Sequence, residues 1–246
     1  MEPEIYHKTA QSEESHWWFV GRRRIINDIL KGLVLPENAP ILDVGCGTGG
    51  NLALLARYGR VYGMELDATA REYARGRQVG PILPGRLPDD IPFEGQLFNL
   101  LVLTDVLEHV DRDDLSLRHL SDRIQSGGYL LLTVPAFQGL WSRHDDLHQH
   151  RRRYNRGRLA AILVDAGFEV LLLSYLNTWL FPVIATVRLC NKFLGKAGVD
   201  DLAMPPPALN QVLASIFASE GKILKLMRLP FGVSLMALAR KKCKVF

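Results

Sequence analysis

Short apolar runs alternate with amphipathic stretches through most of the chain. Residues 41–45, ILDVG, form an apolar run ending in glycines, and Leu52, Leu54, Leu55 and Tyr58 follow at helical spacing. Residues 61–65 predict a second strand and 68–77 a second helix, with a weak third strand at 81–83. The nearly unbroken run LFNLLVLTD, 97–105, predicts a fourth strand, and 112–125 a helix with Leu115, Leu120 and Ile124 inward. GYLLLTVP, 128–135, predicts a fifth strand. After a polar loop, 156–166 reads as helix and 168–175 as a sixth strand. Strands apolar on both faces, separated by amphipathic helices, mean a parallel sheet covered on both sides. The expected fold is α/β, doubly wound and mostly parallel.

Both ends break the alternation. Ser12, Glu13 and Glu14 read as a helix start, since a hydroxyl caps free amides and acids suit the positive end. Trp18, Ile25, Ile26, Ile29, Leu30 and Leu33 then share one helical face, and Pro36 and Pro40 close the element. Beyond the sixth strand, 177–194 and 208–228 read as helices separated by Pro205, Pro206 and Pro207. The second carries a stripe through Leu209, Val212, Ile216, Phe217, Leu224 and Met227. Residues 233–240 predict a last strand, so 177–231 form a helical insertion.

The composition excludes several classes. With 246 residues, 48% hydrophobic and 23% charged, the chain is ordinary globular material. A formal net charge of +4 is too small to imply a nucleic-acid partner. Arg22 to Arg24, Arg151 to Arg153 and Lys241, Lys242 and Lys244 read as solvated faces. Cys46, Cys190 and Cys243 are scattered, which excludes a disulfide framework or cysteine zinc site and favours a reducing compartment. The opening residues are polar with no apolar signal core, so a cytoplasmic location is expected. The apolar run 171–190 is interrupted by Ser174, Asn177 and Pro182, whereas a span needs about 20 apolar residues. It predicts a buried strand followed by a helix.

Candidate chemistry begins at Asp43-Val44-Gly45-Cys46-Gly47-Thr48-Gly49-Gly50, a strand-to-helix turn. Glycines there let a ligand approach the backbone closely. Such a turn at the carboxyl end of a parallel sheet is where α/β folds bind nucleotides. Glu65 ends the next strand, twenty residues on, where an acid accepts ribose hydroxyl protons. Gly45, Gly47 and Gly50 also fit the dinucleotide fingerprint. Asp43 argues against it, because a negative charge is poor company for a pyrophosphate. It suits a cationic ligand end, such as an amino acid bearing a sulfonium.

The ordered segments ILDVGCGTGGNL, VYGMELD, LPDDIPF, FNLLVLTDVLEHV and GGYLLLTVP resemble the motifs of class I S-adenosylmethionine-dependent methyltransferases. The flanks resemble a narrower bacterial, type-11-like group, with His16 to Phe19, Arg22 and Arg23 and a loop from Trp141 through His144 and His150 to Tyr154. The resemblance implies a seven-stranded sheet with an antiparallel last strand, and S-adenosylmethionine as cofactor. It implies that the loop through Asp43, Gly45, Cys46, Gly47 and Gly49 holds the methionine half. Glu65 would bind ribose, and Leu66 would pack on adenine. Arg86 and Leu87 would border the adenine, with Arg86 standing where many members have an acid. Asp105 and Val106 would lie beside the methyl group. The implied organisation is an N-terminal lid helix, 1–36, a cofactor-binding domain, 37–176 with 232–246, and the insertion, 177–231.

Methyl transfer is an in-line displacement that needs alignment, exclusion of water and sometimes a base. His109, on an expected helix start with Asp105 and Glu108, is a candidate base with its pKa held up by Glu108. Those two carboxylates and imidazole also suit a hard divalent ion, but no metal is assigned. His144 and Asp145, after strand five, complete the catalytic candidates. Trp18, Arg22, Trp141, His148 and Tyr154 are the candidates for substrate binding. The apolar insertion suggests a small or lipid-like acceptor methylated at oxygen, and leaves peripheral membrane contact or a homodimer open. The alternatives are a nicotinamide-dependent oxidoreductase and a non-enzymatic cofactor-binding or membrane-docking protein.

Overall fold

The structure is a computed structural model that describes residues 3–193 and 203–242. Leu194, Lys196, Cys243 and Lys244, and the side chain of Lys192, lie outside the described residues. The seven strands are β1 (Pro40–Val44), β2 (Arg60–Glu65), β3 (Ile82–Pro84), β4 (Phe98–Thr104), β5 (Ile124–Pro135), β6 (Phe168–Leu176) and β7 (Ser234–Lys241). They lie in the order β3-β2-β1-β4-β5-β7-β6. The first five pair in parallel, and β7 runs antiparallel between β5 and β6. This is the expected mixed sheet. Its order reverses at β1 and β4, whose carboxyl ends frame the crevice where such sheets bind ligands.

The helices are α1 (Pro3–Ser12), α2 (Trp17–Leu30), α3 (Leu52–Leu55), α4 (Ala68–Gly76), α5 (Asp113–Asp122), α6 (Arg143–Leu147), α7 (Arg156–Asp165), α8 (Phe181–Phe193) and α9 (Pro207–Ile223). The alternation along β4 explains how they are sorted. Leu101 and Leu103 pack with Leu117 and Leu120 of α5 and Leu159 and Leu163 of α7. Leu100 and Val102 point to the other face, with Ile25 and Ile26 of α2, Leu52 and Leu55 of α3, and Phe217 of α9.

Several boundaries depart from the sequence reading. Ser12 does not start the first long helix; it ends α1, where its hydroxyl donates to the Lys8 carbonyl at 2.8 Å. The N-cap of α2 is His16, whose ring accepts from Trp18 N. The bend between them lets Glu13 and Glu14 both pair with Arg77. Residues 124 and 125 belong to β5, not to the preceding helix, because Ile124 pairs with Phe98 at the start of the strand. Residues 107–109 form a single 3-10 turn, Leu107–His109, so Asp105, Glu108 and His109 do not share a helix face. Asp105 itself sits at φ 57°, outside any helix.

The insertion differs most. Its stripe is covered only in part: Phe217 and Leu224 are buried where α9 lies along α2, whereas Leu209, Val212 and Met227 are exposed. A Cβ on Gly21 of α2 would stand 2.6 Å from the Phe217 ring, so the close approach of the two helices requires glycine there. Glu220 of α9 is also fully buried and accepts backbone N–H bonds from Asn177, Thr178 and Trp179 at 2.7, 2.6 and 3.1 Å. That carboxylate ties the turn before α8 to α9. Among the described residues no helix is long and apolar enough to cross a membrane.

Candidate active site

A cavity of about 980 Å³ opens at the carboxyl ends of β1, β2, β4 and β5. That is at the upper end of the roughly 300–1,000 Å³ typical of a small-molecule site. Gly45, Cys46 and Gly47 line it after β1, Glu65 and Leu66 after β2, and Arg86 and Leu87 beyond β3. Asp105 and Val106 line it after β4. Asp43 and Gly49 are not in its wall. Asp43 lies in β1 under the glycine turn, and a Cβ on Gly49 would meet Arg77 and Leu52.

The turn suits a ligand with a cationic amino-acid end and a ribose. Gly47 sits at φ 54° with nothing within 4 Å of where a Cβ would stand. Both carboxylate oxygens of buried Asp43 lack a hydrogen-bond partner. Burial pushes that carboxyl up to about 7; Arg22 opposes the shift, and Glu65 and Glu13 add to it. A cationic ligand end would supply the missing counter-charge. Glu65 closes the second side, its carboxylate accepting from Gly47 N and Asp67 N at 2.9 Å each. Leu66 is 62% exposed beside it, a bare apolar platform for a flat ring. Cys46 is no nucleophile, since burial with Asp43 and Glu65 keeps its thiol protonated.

The N-terminal segment covers this end. Tyr6, Glu13, Trp18 and Arg22 all line the cavity. Arg77 bonds Glu13 and Glu14 and also donates to the Thr48 carbonyl at 2.8 Å, which joins the segment to the glycine turn. Arg22 reaches in from α2 and pairs with Asp105, whose other oxygen accepts from the Thr133 hydroxyl at 3.0 Å. The segment 1–36, expected as one lid helix, is two helices, α1 and α2.

The opposite end is a cluster of imidazoles. His144 and His148 have ring centroids 4.1 Å apart, and His109 and His150 4.7 Å. His109, His144, His148 and His150 all line the cavity. The expected effect of Glu108 on His109 is not found. Burial, and then His150 and His148, lower His109 to about 4 against the pull of Asp105. Burial and then Asp105 push the carboxyl of Glu108 itself well above the usual range. His144 is lowered in the same way, by burial and then by His148 and Arg188.

Three candidates leave the cavity wall. Asp145 is fully buried and closes the first turn of α6, accepting from Ser142 N at 2.8 Å. It also accepts from Arg153 Nε and a second guanidinium nitrogen, at 2.8 and 2.9 Å, and from His150 Nδ1 at 2.9 Å. A carboxylate so fully engaged is a brace and does not face a substrate. Tyr154 is 1% exposed and donates to Asp113 at 2.8 Å, pinning the loop to α5. Trp141 turns to Asp146, donating from Nε1 at 2.9 Å. In their place α8 contributes Ile184 and Arg188.

A doubly wound sheet with a glycine turn, an acid ending β2 and a covered crevice at the switch point defines a nucleotide-ligand fold of the methyltransferase kind. The chain belongs to the methyltransferase-domain family, which it matches over residues 19–173, and S-adenosylmethionine is the cofactor that family uses. The nicotinamide reading falls with that assignment. The chain is 34% identical over 123 residues to a mitochondrial ubiquinone biosynthesis O-methyltransferase of Candida albicans. That match covers 46% of this chain and 35% of the relative.

Solved structures share the fold. A chain from the complex of the Haloferax volcanii Trm112 methyltransferase activator superposes with TM-score 0.65 at 14% identity, covering 99% of this chain and 96% of that one. Phosphoethanolamine N-methyltransferase 2 of Haemonchus contortus, bound to S-adenosyl-L-methionine, gives 0.59 at 16% identity, over 89% and 52%.

Proposed function

We propose that this chain methylates an oxygen of a small or lipid-like acceptor held between the turns after β4 and β5 and helix α8. The observation that carries this reading is the partly buried imidazole cluster, which lines the cavity together with Ile184. Bound S-adenosylmethionine supplies an electrophilic methyl group. The residues around it have other tasks. Gly45 to Gly47 hold the methionine end with Asp43 as counter-charge, Glu65 binds ribose, and Leu66 and Leu87 contact the adenine. Arg22 and Trp18, on the segment before β1, close over the cofactor as a lid and exclude water. His144, neutral at ordinary pH, accepts the proton that an acceptor hydroxyl loses.

Helix α8 supports a lipid-like acceptor. Ile184 and Arg188 face the cavity, whereas Val183 and Val187 on the same helix are 65% and 43% exposed. Trp179, Leu226 and Met227 are exposed as well, and exposed Lys222, Lys225 and Arg228 lie near the last two in the chain. Apolar groups fringed by cations match an anionic membrane surface. The test incubates purified protein with methyl-labelled S-adenosylmethionine and separate pools of hydroxylated small molecules and extracted lipids. Label on oxygen of a lipid-pool product supports the reading, and label confined to nitrogen or carbon rejects it. With that acceptor, His144→Gln should lower turnover by about 10²–10⁴ and leave S-adenosylhomocysteine affinity unchanged.

A further inference from the structure

One group of donors at the acceptor end is unexplained by hydrogen bonding. Glu108, His109 and His150 each offer a ligand atom, and the three atoms lie within 4.8 Å of one another. Glu108 is fully buried, and neither of its carboxylate oxygens has a hydrogen-bond partner. Buried carboxylates are ordinarily paired, hydrogen-bonded or coordinated to a metal. This one lacks the first two, although its backbone is well held: the Glu108 carbonyl accepts from Arg151 N at 2.7 Å. Asp105, the third member of the set suggested by sequence spacing, is engaged elsewhere, by Arg22 and Thr133.

His150 supplies the decisive geometry. Its Nδ1 is bonded to Asp145 Oδ1 at 2.9 Å, which leaves Nε2 as the free donor. A carboxylate behind an imidazole fixes ring orientation and strengthens the opposite nitrogen as a ligand. Asp145 is in turn locked by Arg153 and Ser142, so the brace is rigid. His109 lies edge-to-face against His150, the planes 85° apart.

We propose that Glu108, His109 and His150 bind one divalent transition-metal cation in the wall of the cavity, with Asp145 orienting His150. Two imidazoles and one carboxylate are borderline donors that suit zinc, iron, cobalt or manganese and not magnesium or calcium. Three protein ligands leave coordination positions open. All three residues line the cavity, so an open position faces the acceptor side. Resting on the proposed oxygen acceptor, that position takes the acceptor hydroxyl.

The full chain, stripped with a chelator, is titrated with cobalt(II) and followed by its visible ligand-field absorption. S-adenosylhomocysteine binding is measured on the same samples. The expected result is one cobalt per chain, displaced by zinc. Glu108→Gln and His150→Gln should each weaken cobalt at least 100-fold, and Asp145→Asn should weaken it about 10–100-fold. His119→Gln, outside the cavity, should not change it. Absence of cobalt binding in the unsubstituted chain overturns the proposal, and so does unchanged affinity in a folded Glu108→Gln or His150→Gln variant. Intact S-adenosylhomocysteine binding alongside either failure removes the metal alone, whereas loss of S-adenosylhomocysteine binding strikes at the methyltransferase site.

Discussion

Phe217 of α9 stacks on Trp18 of α2, with ring centroids 5.0 Å apart and planes inclined by 25°. The insertion and the N-terminal segment are therefore one packed unit, and Trp18, which lines the cavity, is held from behind by a residue about two hundred positions later in the chain. Phe217→Ala should cost about 3–5 kcal/mol of stability, as for other large buried aromatics. Gly21→Ala, which drives a methyl into the same ring, should cost about 1–3 kcal/mol. Urea unfolding monitored by circular dichroism reads both. A Phe217→Ala chain of unchanged stability would mean that the ring is not core.

The same pair shows where the sequence was legible. The strands were visible because runs such as LFNLLVLTD are buried on both faces, and the glycine turn because Asp43, Gly45, Gly47 and Glu65 lie at fixed spacing around a strand end. The stripe through Phe217 was visible too, but periodicity reports an apolar face and not what covers it. Glu220 was unreadable because its partners are 41 to 43 residues away and all of them are backbone amides. Asp145 was misassigned for a related reason. An acid in a loop of histidines suggests catalysis until Arg153 and Ser142 are seen to occupy it.

Asp43 gives the cofactor site a pH dependence. In the free protein burial raises its carboxyl to about 7, so it is largely neutral below that value. A cationic ligand end favours the ionised form, and binding then releases a proton. Affinity for S-adenosylhomocysteine should fall about tenfold per pH unit below about 7 and level off above it. Asp43→Asn should abolish the slope and weaken binding at pH 8 by removing a buried charge beneath the glycine turn. Calorimetry from pH 5.5 to 8.5 checks both, and a flat profile in the unsubstituted chain rules out this role.

A second titration concerns stability. Burial alone would raise Asp113, but the Tyr154 hydroxyl and the Arg152 and Arg158 guanidiniums outweigh it and hold the carboxyl below its ordinary value. A depressed folded pKa stabilises the native state above the unfolded value of about 3.9 and loses that stabilisation as pH falls through the folded value. Asp113→Asn should therefore be less stable by about 1.5–3 kcal/mol at neutral pH. The two chains should converge only below about pH 4. Denaturant midpoints from pH 3 to 8 read the difference, and a constant gap throughout would place the cause outside this carboxyl.

On the proposed reading, helix α8 would stand between the acceptor and a membrane surface. Ile184 faces the cavity, and Val183 and Val187 face outward on the same helix. Substitution on the two faces should therefore have separable effects. Val183→Ser with Val187→Ser removes exposed apolar area and should weaken sedimentation with phosphatidylglycerol vesicles. The loss should be about 1–3 kcal/mol, given roughly 25 cal/mol per Å² of apolar surface withdrawn from water. It should leave S-adenosylhomocysteine affinity and methylation of a detergent-dissolved acceptor intact. Ile184→Ser should do the opposite, raising KM for an apolar acceptor with vesicle binding unchanged. Both substitutions keep the helix and spare the glycine turn. Equal vesicle binding by all three chains, or a double variant that only converts a dimer to a monomer, would make the outer face a subunit interface and end the membrane reading.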